Sequence, residues 1–156
     1  MSVWTTRAAT VEDAVYVYDH IWERGAKELS GYGITREKWI AQWAYMTVIP
    51  NCTQAFLHDG KIIAVLGVDK IEGIAKTWFQ ATADFDRFGR GLTRQMRKVI
   101  DGMARKAGLK KAVLTSLCVS SDAPRWYEFL GLAEDRNFLG AIFSGRIERA
   151  FVKEWK

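Results

Sequence analysis

Residues 88–114 read FGRGLTRQMRKVIDGMARKAGLKKAVL, and the reading of the two glycines around Arg90 decides the fold. From Gly91 onward, Leu92, Met96, Val99, Ile100, Met103 and Ala104 recur at intervals of three and four, while Arg94, Arg97, Lys98, Arg105 and Lys106 occupy other faces. That is the period of an amphipathic helix, and Gly108 supplies its stop. Gly89 and Gly91 then allow two readings. They are the start of a plain helix, or a tight loop whose unpaired N–H groups and helix dipole hold a phosphate. In the second reading, Arg87, Arg90, Arg94 and Arg97 add charge to amides that a Cβ would otherwise shield.

Outward from this stretch the pattern alternates between periods. Val3–Ala8 reads as a strand, and Thr10 with Glu12 and Asp13 opens a helix carrying Ala14, Tyr18, Ile21 and Trp22 at helical spacing. A second helix opens at Thr35, with Trp39, Ile40, Trp43 and Thr47 on one face and Pro50 beyond its end. Residues 53–82 predict three consecutive antiparallel strands, the first two joined through Asp59-Gly60. After the basic helix come a strand over 111–119, a short helix over 122–130, and two runs, 132–138 and 146–155, forming a hairpin around Ser144-Gly145. The order β, α, α, β, β, β, α, β, α, β, β predicts an α+β fold with a mixed sheet.

The chain of 156 residues, 49% of them apolar, suits a single domain over 1–156. No window approaches the length of a membrane span, and the opening MSVWTTRAATVEDA carries no basic leader ahead of an apolar run. With only Cys52 and Cys118, there is no disulfide framework or paired-cysteine zinc site. The expectation is a reduced, cytoplasmic protein. The net charge of +5 fits an anionic partner, whether a phosphorylated cofactor, a nucleic acid or nothing specific. No nucleic-acid motif accompanies the basic helix, so a solvated face is its simpler reading. His20 and His58 have no metal-ligand partner at useful spacing.

Residues 88–135 resemble, almost without gaps, the acyl-CoA-binding half of the GCN5-related N-acetyltransferases, the GNAT family. The match is a glycine-rich segment, a basic helix, a strand, and a short helix with the run Trp126, Tyr127, Glu128, Phe129, Leu130, Gly131, Leu132. TTRAATVEDAVYVYDHI resembles the family's first strand and helix. The resemblance implies a GNAT fold, a mixed and mostly antiparallel central sheet flanked by about four helices. It also implies an N-acyltransferase moving an acetyl group from acetyl-CoA to a primary amine by direct attack, the acceptor being a small molecule or a protein.

The resemblance implies roles for particular residues. Tyr127 stands at the family's general-acid position. Main chain around Phe79, Ala81 and Ala83 would pair with the pantetheine arm, amides from Gly89 through Arg90, Gly91, Leu92 and Thr93 to Arg94 would hold the pyrophosphate, and Ser120 and Trp126 complete the cofactor side. The predicted fourth strand has no carboxylate; Glu72, Asp84 and Asp86 lie just outside it, and Asp84 is nominated as base beside a water relay or no catalysis. Cys118 is read as a buried thiol before a nucleophile. Trp22, Trp39, Trp43 and Trp78 are read as core, with Trp39 and Trp43 also open to an acceptor pocket. Residues 25–34, with Tyr32, are read as the selectivity loop. Within the superfamily, TWFQATADFDRFGRG (77–91) is most similar to GNAT-like proteins of tailed phages. That likeness implies the alternative of a catalytically degenerate virion or morphogenesis protein, with phage particle proteins as partners and the host cytoplasm or virion interior as its place; a homodimer is a separate expectation for either reading.

Overall fold

The computed structural model describes residues 3–156; residues 1 and 2, which begin the predicted domain and the stretch read for a leader, lie outside the described residues. Strand β1 (Trp4–Arg7) precedes helices α1 (Val11–Asp19), α2 (Glu23–Gly31) and α3 (Arg36–Thr47). Strands β2 (Thr53–His58), β3 (Lys61–Ile71) and β4 (Ile74–Ala81) follow, then α4 (Phe85–Ala107), β5 (Lys111–Ser116) and α5 (Ala123–Phe129). The chain finishes with β6 (Ala133–Asp135), β7 (Ile142–Phe143), β8 (Arg146–Ile147) and β9 (Arg149–Glu154). Seven strands form one sheet in the order β1-β2-β3-β4-β5-β9-β6. Among the described residues only β4 and β5 pair in parallel. The mixed, mostly antiparallel sheet is the predicted one, with five helices against it.

Local chemistry explains most boundaries. Asp59-Gly60, Glu72-Gly73 and Ser144-Gly145 all have positive φ at both positions, the geometry of two-residue hairpins. Thr10 caps α1 through a reciprocal bond with Asp13, and Thr35 caps α3. Gly108 ends α4 in the left-handed conformation, its N–H donating to Ala104 O.

The core has two halves, one on each face of the sheet. Trp39, Trp43, Met46, Ala14 and Val17 pack α1 and α3 onto β2 and β3. On the other face, Leu92, Met96, Met103 and Ala104 of α4 meet Phe56, Leu66, Ala112 and Phe151. Trp39 and Trp43 are fully buried, as the core reading expects, whereas Trp22 and Trp78, read the same way, are half-buried; Trp39 Nε1 donates to Ala14 O at 2.8 Å.

Beside a β5 that stops at Ser116 and a β6 that stops at Asp135, both short of the sequence reading, four larger departures stand out. First, α1 stops at Asp19, and Ile21 instead forms a bridge with Thr82. Second, residues read as a selectivity loop are mostly helix α2. Third, β6 pairs with β9, while Ser144-Gly145 turns a separate small hairpin, β7–β8. Fourth, α4 begins at Phe85, six residues before Gly91.

The last correction follows from magnitudes. Two helical glycines cost about 1 kcal/mol each relative to alanine. Phe85 is 8% exposed and Phe88 packs on the same cluster, and burying one phenylalanine stabilises by about 1.5–3 kcal/mol. Asp86 in the first turn also complements the dipole. Gly91 serves packing, since a Cβ there would lie 2.7 Å from Trp4 Nε1, whereas a Cβ at Gly102 would meet nothing within 4 Å. Gly102→Ala is therefore expected to raise stability by about 0.5–1 kcal/mol. Gly91→Ala is expected to lower it, because overpacking by about 1–3 kcal/mol exceeds the helical gain. Urea unfolding of the two variants measures both signs.

A second stability test lies at the N-terminal end of α1. Asp13 is 7% exposed. Burial pushes its carboxyl up, but bonds from Arg7 and Thr10 outweigh that and hold it below its ordinary value of 3.8. A carboxyl depressed on folding stabilises fully above its unfolded value and loses that contribution as pH falls through the lower folded value. Asp13→Asn is thus expected to lower the melting temperature at neutral pH and to flatten its fall below pH 3.8, read by thermal melts across acid pH.

Candidate functional site

Strands β4 and β5 pair only where Ile74–Lys76 face Lys111–Val113. Beyond that point they diverge, and a cavity of about 660 Å³ opens in the wedge. Thr82 N–H donates to Ile63 O of β3, whereas Ala81 O accepts from Trp22 N–H on the opposite side. Alternate residues of a strand direct their main-chain groups to opposite neighbours. The amide and carbonyl of Phe79 therefore face the gap.

The link between α1 and α2 takes the rest of that edge. Ala81 O is held by Trp22, and Ala83 N–H donates to His20 O at 3.0 Å. Of the three main-chain positions read for the pantetheine arm, only Phe79 has both groups directed into the opening. Trp22 Nε1 donates to Gln80 Oε1 at 3.2 Å. Helix α2 approaches this pair so closely that a Cβ on Gly25 would sit 2.2 Å from Gln80 Oε1.

Tyr127, projecting from α5 into this cavity, has its hydroxyl 3.0 Å from Ser116 Oγ at the end of β5. Burial is the main force raising its phenol; Ser116 lowers it somewhat, and the nearby charges of Glu28 and Cys118 raise it further. The phenol stays protonated as a proton donor must. Burial likewise raises the Cys118 thiol, which fits the inert reading, and Cys118 is absent from the cavity wall.

Three carboxylates line the cavity, Glu28, Asp122 and Glu148, and none was a base candidate of the sequence reading. Glu28 of α2 accepts from Leu117 N–H at 2.7 Å, and Glu148, just before β9, accepts from the Tyr32 hydroxyl at 2.8 Å. Asp84 lies elsewhere: it pairs with Lys61 Nζ at 2.8 Å and lines neither this cavity nor its neighbour. Its nomination as base is corrected by that geometry. Glu28 had a weak signal, because Gly25 and Gly31 disguise α2 as a loop. Glu148 had none, since only the fold brings it to Tyr32.

A second cavity, of about 1040 Å³, lies along the first turns of α4. Arg87, Arg90, Arg94 and Arg97 line it from α4, and Arg125 from α5. None of the five has a carboxylate partner among the described residues. The expected cradle of open amides is absent, because residues 89–94 lie inside an unbroken helix whose N–H groups serve its own turns. Leu92 is fully buried and contributes to no wall. Thr93 Oγ1 donates to Gly89 O and accepts from Trp126 Nε1 at 3.0 Å. Ser120 lines the first cavity and bonds Asp122.

The two cavities share Phe85, Arg125, Trp126 and Phe129. Trp126 packs 5.2 Å from Phe79 and 5.4 Å from Phe85, ring to ring. An extended ligand with an anionic end fits this layout, its charge among the arginines and its apolar length along the rings.

No protein-family model and no curated protein sequence matches the chain. Solved structures do match. The GNAT domain of S. lividans PAT superposes with a TM-score of 0.75 at 16% identity, over 96% of this chain and 89% of that one. The ribosomal-protein-S18-alanine N-acetyltransferase from Escherichia coli gives 0.64 at 16% identity, over 96% and 91%. A ribosomal L7/L12 alpha-N-protein acetyltransferase in complex with coenzyme A gives 0.64 at 11% identity, over 97% and 93%. The chain has the GNAT fold.

Proposed function

We propose that the protein transfers an acetyl group from acetyl-CoA to a primary amine by direct attack. The observation that carries this reading is the wedge between β4 and β5, with a protonated phenol, Tyr127, and a carboxylate, Glu28, in its walls. That the structural relatives are acetyltransferases, one of them holding coenzyme A, supports it.

In this mechanism the amine nitrogen attacks the thioester carbonyl carbon, an N–C bond forms, the C–S bond breaks and the electron pair leaves on sulfur. Glu28, rather than a strand carboxylate, takes the ammonium proton before attack, the Tyr127 hydroxyl donates its proton to the departing thiolate, and the proton shed by the new amide nitrogen restores the phenol. Phe79 main chain aligns the pantetheine arm. Arg90 and Arg94, with Arg87, Arg97 and Arg125 beside them, bind the phosphates through side chains. Gly89, Gly91 and Thr93 shape that groove; Ser120 and Trp126 flank the arm.

Isothermal titration with acetyl-CoA, followed by thiol release on adding amines, tests the proposal. Saturable binding with amine-dependent thiol release is expected. No binding at millimolar acetyl-CoA overturns it. The unbroken helix over residues 85–107 favours a second reading, a catalytically silent protein, for which the sequence likeness to tailed-phage proteins implies a place in a particle. Stoichiometric presence in purified particles, with no thiol release, would select that alternative.

A further inference from the structure

The acceptor end of the first cavity is acidic and aromatic. Glu148 accepts from the Tyr32 hydroxyl, and Glu28 of α2, one helical turn before Tyr32, lines the same cavity. Each has one carboxylate oxygen engaged, Glu28 Oε1 with Leu117 N–H and Glu148 Oε2 with Tyr32. Neither carboxylate meets a cation among the described residues. The cations that do line this cavity are otherwise disposed. Arg24 is neutralised by Asp122 at 2.9 Å, Lys76 lies over the Trp78 ring at 4.9 Å, and Arg125 lies over Phe129.

The hairpin β7–β8 holds Glu148 in place. Ser144 Oγ donates to Gly31 O, Phe143 packs 4.9 Å from Tyr32, and Glu148 N–H donates to Ala141 O. A Cβ at Gly140 would lie 1.9 Å from Glu148 O, so that backbone is tightly set. A partly desolvated carboxylate held this way is costly without a counter-charge. Neighbouring rings favour an ammonium over a neutral group.

We infer that the acceptor is a diamine or polyamine, one nitrogen reacting beside Glu28 and Tyr127 while a second, still protonated, is held by Glu148 against Tyr32 and Phe143. This rests on the acetyl-transfer reading for which nitrogen reacts, but the two-carboxylate site binds the dication by itself. A zwitterionic amino acid would set its own carboxylate against Glu148.

The test is isothermal titration of the full chain, without cofactor, using 1,4-diaminobutane with its shorter and longer homologues, n-butylamine and 4-aminobutyrate. The best diamine is expected to bind about tenfold or more tightly than butylamine, the worth of one additional partly buried ion pair. Glu148→Gln is expected to abolish that margin, bringing the diamine and butylamine affinities of the variant to within about twofold of each other, with thermal melting confirming that the variant folds. Equal binding of diamines and butylamine overturns the inference. So does an undiminished margin in Glu148→Gln, or tighter binding of 4-aminobutyrate. Acetyl-CoA is titrated separately: diamine selectivity without acetyl-CoA binding leaves the acidic site standing and removes the transferase reading, and the converse result does the reverse.

Discussion

Replacing Tyr127 with Phe is expected to lower the turnover of acetyl transfer about a hundredfold or more, the usual contribution of a positioned proton donor. Acetyl-CoA affinity should change little, because the ring still packs 4.6 Å from Phe151 and 5.5 Å from Trp126. A fall in kcat with unchanged cofactor binding separates loss of the proton from loss of the wall. The wild-type rate should carry a further signature. Burial raises the phenol above its ordinary value of 10.0, so the protonated donor persists as pH rises through 10 and Tyr127 adds no alkaline fall there. Single-turnover measurement of thiol release at saturating amine, across pH, reads both effects. A Tyr127→Phe variant with full turnover would remove the residue from the mechanism.

Replacing Arg90 and Arg94 together with Ala is expected to weaken acetyl-CoA binding by between about tenfold and a hundredfold. Each loses a charge-assisted bond to phosphate, and both side chains are exposed, so solvent screening limits the effect. The wild-type affinity should fall with added salt, and the double variant should fall less steeply. The helix supplies no open amides at residues 89–94, so on the proposed reading the arginines are expected to carry the phosphate binding. Unchanged affinity in the double variant would return that role to the main chain. Dephospho-CoA derivatives in the same titration show which phosphate the arginines meet.

Several features of the fold were legible one segment at a time. Asp59-Gly60 announces a turn because few dipeptides adopt two positive φ angles, and Thr35 announces α3 because its hydroxyl caps an amide. The spacing of Leu92, Met96 and Met103 gave the buried stripe of α4. Tyr127 was found through the run from Trp126 to Leu132, and it does line the wedge. The start of α4 was hidden, since glycine argues locally for a loop while the burial of Phe85 and Phe88 acts only after the sheet is in place.

The sequence by itself determined most of the order of elements, though neither α2 nor the β7–β8 hairpin, together with turns and caps, the two-sided distribution of apolar residues, and the family of folds to which these belong. Those depend on side chains a few residues apart, whose preferences survive in any context. Only the tertiary structure decided that β4 and β5 part after Lys76, that Gly91 makes room for Trp4, and that Glu28 and Glu148, far apart in the chain, line one cavity with Tyr32 while Asp84 turns to Lys61. Such features depend on which surfaces are buried against each other. Packing free energies of a few kcal/mol override local propensities of about one.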